Sequence, residues 1–420
     1  MSETSERNRA PATRSHACRV VYFIAYPQRM AGANRSLFEL VTNLPEGFRS
    51  VVVSVGEGRV TEAYRAAGVE VVLAEPGPRL SQFGKVALGW TAATQSSVLL
   101  RELLPYTFRL RSLFRELRPA LLHTNDPRGT LMAGLAAKSL RIPIVTHLRG
   151  EIPFRGLLSR VYESIPDRFV AVSEATRMEL SEAARRRAVA VYNGTRDVGG
   201  EGPGVPWLDA LRRRGVTVVS MFASVVPFKG VHHLLRAASE LVQEGLGDHF
   251  VVVCVGDLDS DHPAYVDWAL NLRDELKVQN VTFAGWQDDP FRFYRSSDLS
   301  VLPSVSEETL DYGEGDVLVR GNEGFPRTHL EAMCFGLPIV GTDIAGVREQ
   351  VVDGETGIVV PPSNSQSLAD AIRRLVEDAG LREEMGARGR ERVLRLFSTP
   401  AYVSGVVAVY DDLNLRTRSQ

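Results

Sequence analysis

The sequence predicts an α/β protein made of two Rossmann-like, doubly wound domains facing across a cleft. Three observations carry this. Short apolar runs alternate with longer stretches of helical period, the alternation starts afresh after residue 206, and a break dense in Gly and Pro at 193–206 separates the two series. At 420 residues the chain also exceeds the ~250–300 at which one hydrophobic core stops growing.

In the front series the apolar runs are RVVYFIAY (19–26), SVVVSV (50–55), VEVVLA (69–74), ALLHTN (120–125), IPIVTHL (142–148) and RFVAVS (168–173). Segments such as SLFELVTNL and TLMAGLAAKSL between them have helical period. Near-continuous apolar runs suit parallel strands covered on both faces. The second series is VTVVSMFA (216–223), HFVVVCVG (249–256), NVTFAGW (280–286), DLSVLPS (298–304), LPIVGT (337–342) and TGIVVPP (356–362). The division expected is a disordered tail at 1–17, a front domain at 18–200, a back domain at 201–397 and a final segment at 398–420 that begins a helix near Pro400. The acidic stretch 305–321 is longer than an ordinary connection and reads as a loop rather than a packed element.

Composition excludes several classes. Hydrophobic content of 44% and charged content of 24% are those of an ordinary globular protein. Three scattered cysteines, Cys18, Cys254 and Cys334, suit neither a disulfide framework nor a CxxC zinc site, and fit a reducing cytoplasm. The start is polar, and no stretch offers the ~18 apolar residues of a membrane span. A net charge of -2 conceals a cationic front half and an anionic back half. The basic amphipathic stretch 79–118 is a candidate contact with the anionic inner face of a membrane, or else a helix packed on its own sheet.

In open α/β sheets ligands sit beyond the carboxyl ends of the strands, so the loops after each run are where chemistry belongs. NEGFPRTHLEAM (322–333) places Glu323 in a loop and Glu331 in a helix that follows it, with seven residues between them. Pro326 favours a turn, Thr328 is a candidate N-cap and Gly336 a candidate stop. Both carboxylates then face a ligand docked at the helix N-terminus, a natural seat for phosphate. The bland alternative is a capping box, Thr328 with Glu331, and a solvated Glu323. A second strand-to-helix turn, SVVPFKG, supplies Lys229 as a point charge and Gly230 for close backbone approach; it is no Walker loop. A third, YPQRMAGANRS, opens a helix at Gly32 and lacks GxGxxG.

Taken together and in this order, these motifs resemble the retaining glycosyltransferases of family 4, whose fold is GT-B. The resemblance spans about residues 18–410 and is strongest over 220–362, where VVPFKGVHHLLRAA, VTFAGW, DLSVLPS and EGFPRTHLEAMCFGLPIVGTDIAGVREQVVDGETGIVVPP follow one another. It implies a retaining, metal-independent, hexosyltransferase-like enzyme that takes a nucleotide sugar as substrate, needs no cofactor, and acts on an unspecified acceptor rather than on nucleic acid. The catalytic candidates it implies are Glu323, at the donor sugar hydroxyls, and Lys229, at the diphosphate. Glu331 would hold the ribose, and the segment Gly324, Phe325, Pro326, Arg327 and Thr328 would cradle the diphosphate. Ser224 and Gly230 would flank Lys229, Gly32 would approach from the opposite domain, and Gly285 and Trp286 would lie near the base. The final helix would cross back onto the front domain.

The chain departs from that family in four places, the mildest being Ala31-Gly32 where paired glycines are usual in the front loop. Ser224 stands where an arginine usually shares the diphosphate, and Arg327 is a candidate substitute. Asn125 stands where a second histidine is frequent. The 305–321 stretch is inserted where the family passes almost directly into the first glutamate. On the acceptor side the candidates are His123, Asn125, Asp126, His147 and Arg149, at strand ends facing the cleft. GDLDSDH (256–262) lacks the Gly and Glu of a calcium loop, and His232 and His233, about 100° apart on a helix, are not expected to share a metal. Ser224 motivates an alternative reading, a nucleotide-sugar-binding protein impaired in turnover; an epimerase on the same fold would need no acceptor.

Overall fold

A computed structural model of the chain describes residues 18–82, 97–150, 152, 156–258, 262–313, 315–321 and 323–413. The tail at 1–17, residues 83–96 of the basic stretch and 414–420 of the final segment lie outside the described residues.

Among the described residues, seven strands make the front sheet: β1 (Cys18–Ile24), β2 (Phe48–Ser54), β3 (Glu70–Leu73), β4 (Leu121–Thr124), β5 (Ile144–Leu148), β6 (Arg168–Ala171) and β7 (Ala188–Ala190). All pairs are parallel, in the order β3-β2-β1-β4-β5-β6-β7. The second sheet holds β8 (Thr217–Phe222), β9 (Phe250–Val255), β10 (Val281–Gly285) and β11 (Leu299–Leu302). After a separate hairpin, β12 (Glu307–Asp311) and β13 (Asp316–Arg320), it is completed by β14 (Ile339–Thr342) and β15 (Gly357–Val360). Its order is β10-β9-β8-β11-β14-β15, again parallel. Every residue of β8 and β9 is buried, as the apolar runs require when helices cover both faces. The packing divides accordingly into two apolar clusters for each sheet, one on either face.

Both strand orders reverse direction once, between β1 and β4 in front and between β8 and β11 behind. A crevice opens at each such switch, beyond the carboxyl ends of the strands. The loops after β1 and β4 carry Gly32, Asn125 and Asp126; those after β8 and β11 carry Ser224, Lys229 and Ser304. Two crevices, one from each domain, therefore supply the cleft.

Three expectations change. The 305–321 stretch is not a loop but the antiparallel hairpin β12–β13, with Leu310 and Val319 buried against the back domain. Glu307, Asp311, Asp316 and Arg320 point out while Leu310 and Val319 point in, with Glu308 inward beside them, so the net acidity hid a strand period. The Gly- and Pro-rich break is not a free linker. Thr195 bridges to Ser398, its N–H donates to Phe397 O at 2.9 Å, and a Cβ at Gly199 would stand 1.9 Å from Cys334 O. The basic stretch buries Tyr106, Leu110, Phe114 and Leu117 of its helix Leu104–Leu117 in the front core, while Leu100, Leu104 and Phe108 stay exposed along one side.

The final helix, Thr399–Asp412, starts where Ser398 caps it and Pro400 fits the first turn. It packs Tyr402, Val403, Val406, Val409 and Tyr410 into the front-domain cluster that holds Val20, Tyr22 and Ile24. Among the described residues no helix is long and apolar enough to cross a membrane.

Candidate active site

Glu323, Lys229 and Ser304 come together. Lys229 ends a 3-10 turn, Pro227–Lys229, and Gly230 then takes φ 70°, the left-handed region. A Cβ at Gly230 would lie 1.9 Å from Pro303 O, so only glycine lets this loop pass the end of β11. The turn aims the Lys229 ammonium at Glu323 Oε1 in a close ion pair, and Ser304 Oγ donates to the same oxygen at 2.9 Å. Glu323 is 7% exposed. Burial alone would raise its carboxyl, but the charge and hydrogen bond of Lys229, with Ser304, hold it below the usual carboxylate value. It is ionised at neutral pH.

The helix after it runs Arg327–Cys334, and its N-cap position is Pro326, with no side chain capping it. The expected cap at Thr328 is corrected: Thr328 is the second helical residue, because Pro326 at φ -57°, ψ 122° already sets the turn into the helix. Glu331 is then the fifth residue rather than part of the first turn, and no capping box forms. The first-turn N–H groups have no intrahelical acceptor by construction, which is what an anion seat requires. Glu331, 4% exposed, receives Tyr294 Oη at 3.3 Å and faces Arg35 at 3.6 Å and Arg327 at 3.8 Å. Gln350 braces the turn by donating to Pro326 O at 2.9 Å, and its Oε1 lies 3.1 Å from His329 Nδ1. Burial holds the His329 imidazole down to about 4, so it is neutral.

The front domain meets this helix directly. Arg35 lies on the helix Gly32–Thr42, which likewise lacks a side-chain cap, with open space around Gly32. Arg327 Nη1 reaches Gly194 O at 3.0 Å and Ser36 Oγ at 3.4 Å. A Cβ at Gly324 would stand 2.5 Å from Arg149 O, Asn193 donates to Phe325 O at 3.2 Å, and Tyr192 stacks on Phe325 at 4.9 Å. On the opposite rim Trp286, 57% exposed, follows Gly285 at φ 67° and lies 6.0 Å from the Arg59 guanidinium of the front domain.

Arg327 is thus committed to the domain contact. It is not the free cation that Ser224 leaves wanting. Arg35, 42% exposed at its side chain and 3.6 Å from Glu331, is the more accessible cation, and sequence reading missed it because an arginine inside a helix carries no motif. Ser304 was hidden likewise, its role depending on where β11 ends. Ser224 itself sits in the crevice loop, its carbonyl accepting from Val226 N–H.

The acceptor-side candidates divide. Asn125 and Arg149 join, Nε to Oδ1 at 2.8 Å, and Arg149 continues to Asn193 at 2.6 Å and Tyr402 Oη at 3.0 Å. Asp126 caps the helix Pro127–Ser139 by accepting from Gly129 N–H, and burial pushes its carboxyl up to about 6. His123 and His147 do not face the cleft. Both are 0% exposed, His123 Nδ1 lies 2.6 Å from Tyr410 Oη, and the final helix covers them. Burial lowers both imidazoles, His123 to about 3, leaving them neutral and out of contact with solvent.

Comparison with known proteins shows the family and the fold. The profile of glycosyl transferases group 1 matches residues 177–392, just over half of the chain, and that of Glycosyltransferase Family 4 matches 31–197. The chain belongs to the glycosyl transferases group 1 family. A phosphatidyl-myo-inositol mannosyltransferase of Mycolicibacterium smegmatis is 28% identical over 89% of this chain and 92% of its own. An alpha-D-kanosaminyltransferase of Streptomyces kanamyceticus is 30% identical over 47% of this chain and 46% of its own. Anabaena HepE, solved in complex with UDP-glucose, superposes with a TM-score of 0.74 at 19% identity, covering 94% of this chain and 99% of that one. The fold of this glycosyltransferase is therefore GT-B.

Proposed function

We infer that this glycosyltransferase takes a nucleoside-diphosphate sugar and transfers the sugar, with retention, to an acceptor hydroxyl. The carrying observation is the convergence of Lys229, Glu323 and the uncapped Arg327–Cys334 helix at the back-domain switch point. The diphosphate seats on the helix N-terminus, and Lys229 neutralises its growing charge as the sugar leaves, a stabilisation larger in the transition state than in the ground state. Glu323 accepts from sugar hydroxyls and Glu331 from the ribose, with Trp286 at the base. Arg35 supplies the cation that Ser224 does not.

In the step itself the anomeric carbon–oxygen bond to the diphosphate breaks, and the acceptor oxygen bonds to that carbon on the same face. The acceptor proton passes to the departing phosphate oxygen. No metal takes part in this step. His123 and His147, buried and neutral, are not its base. The exposed side of the helix Leu104–Leu117 supports an acceptor presented at an anionic membrane surface.

The test is thermal stabilisation by UDP-, GDP-, ADP- and dTDP-sugars, followed by transfer assays with Glu323→Gln, Glu331→Gln and Arg35→Ala. A ligand of the native state stabilises it by RT ln(1 + [L]/Kd) and so raises the melting temperature. One base should stand out; Glu323→Gln should depress kcat by about 100-fold or more, in the range set by loss of a transition-state contact, and Arg35→Ala should mainly weaken donor binding. Binding without turnover under every acceptor would instead favour the impaired alternative that Ser224 motivates.

A further inference from the structure

A second cluster of functional groups lies outside the donor site. The side chains of His232, His233 and Glu308 place their ligating atoms within 4.8 Å of one another. His233 Nε2 lies 2.8 Å and His232 Nε2 3.4 Å from the same oxygen, Glu308 Oε2. The expectation that two adjacent histidines on a helix point apart fails here. They occupy the first turn of Val231–Gln243, their rings 4.2 Å apart, and the β12 strand brings Glu308 between them.

Two details distinguish this cluster from a casual ion pair. Both Nδ1 atoms already have hydroxyl partners, Tyr265 Oη at 2.7 Å and Ser365 Oγ at 3.0 Å. Such partners orient the ring and leave Nε2 for a ligand, as outer groups do for metal-bound histidines. Two ligands held tetrahedrally at ~2.0–2.1 Å from zinc stand about 3.3 Å apart, and the observed 2.8 and 3.4 Å bracket that separation.

We propose that His232, His233 and Glu308 form a site for a divalent transition metal of the Zn2+ class, two imidazoles and a carboxylate with a fourth position open to water. Nitrogen donors exclude Mg2+ and Ca2+ as the preferred ions. The ion staples the β12–β13 hairpin to the helix that follows Lys229. The hairpin's two ends are already tied to that turn, since Val305 N–H donates to Phe228 O at 2.8 Å and Gly321 packs against the Phe228 ring. Glu323 lies two residues beyond Gly321. Metal binding therefore fixes the spacing of Lys229 and Glu323 from outside, without entering the transfer step, and the proposal does not depend on the donor chemistry.

The experiment uses untagged full-length protein stripped with EDTA, titrated with Co2+ at pH 7.5 and then with Zn2+. One equivalent of Co2+ should give the intense visible absorption of a low-coordinate site, Zn2+ should displace it, and Zn2+ should raise the melting temperature. Glu308→Gln, close to isosteric, and His233→Ala should each abolish the absorption and the shift while keeping the far-UV circular dichroism of the parent. If His233→Ala does not fold, Glu308→Gln alone decides. A weak hexaaqua-type spectrum, or an unchanged Co2+ signal in Glu308→Gln, would overturn the site and leave a hydrogen-bonded clamp.

Discussion

Gly230 links the turn that carries Lys229 to the helix that carries His232 and His233. Its φ of 70° and the 1.9 Å approach of Pro303 O to a built Cβ leave no room for a side chain. Gly230→Ala should cost on the order of 2–4 kcal/mol, from the left-handed backbone and the forced displacement of β11's end. A melting curve shows the loss, and donor affinity should fall with it, since Lys229 moves too. A second residue makes a pH prediction. Asp126 has its carboxyl pushed up to about 6 by burial, so between pH ~4 and ~6 the native state keeps a proton that the unfolded chain has released. The stability that Asp126 contributes therefore falls as pH rises through that window. Asp126→Asn keeps the cap acceptor and removes the titration, so the difference in melting temperature between variant and parent should grow from pH 4 to pH 6.5. At this scale the sequence was partly legible. Glu323, Lys229 and Glu331 lie in loop-to-helix patterns, whereas Arg35 and Ser304 act only through what the fold sets opposite them.

The final helix is an element whose importance exceeds its length. Tyr402, Val403, Val406, Val409 and Tyr410 bury themselves in the front domain, at ~1.5–3 kcal/mol each. That is on the order of 10 kcal/mol, comparable to the 5–15 kcal/mol by which a folded protein is stable. A chain ending at residue 398 should be insoluble or lose the cooperative unfolding of its front domain, as read by yield and circular dichroism. The same helix answers why the strand-end histidines serve structure. It lays Tyr410 on His123 at 2.6 Å and covers His147, which no reading of ALLHTN and IPIVTHL in isolation reveals. The hairpin β12–β13 was misread for a related reason. A two-stranded unit with one apolar side gains stability only by packing on something else, here the back-domain cluster, so its composition resembles that of an exposed loop.

Across the whole molecule, the cleft is held by contacts between domains as well as by the shared chain crossings. Glu349 of the short back-domain helix Val347–Gln350 accepts from the N–H groups of Glu174 and Ala175, both at 2.8 Å, at the start of the front-domain helix Glu174–Met178. An anion at a helix N-terminus with two charge-assisted bonds contributes about 1.5–3 kcal/mol. Glu349→Ala should let the domains separate, seen as a larger radius of gyration in solution scattering and a donor KM raised about 10-fold. An unchanged radius would place the closing energy in the Arg327, Asn193 and Phe325 contacts instead.

What the sequence by itself determined is the class of the fold and where along it the back-domain candidates lie. Periodicity, turn residues and the order of motifs are local properties, written along the chain, and two parallel sheets with carboxylates and a lysine at strand ends follow from them. The tertiary structure alone decided which groups meet across the cleft, that Arg35 stands opposite Glu331, that His123 and His147 lie under the last helix, and that Glu308 comes between two histidines. Those pairings join residues tens to hundreds of positions apart, and their existence depends on packing distances that no local pattern encodes.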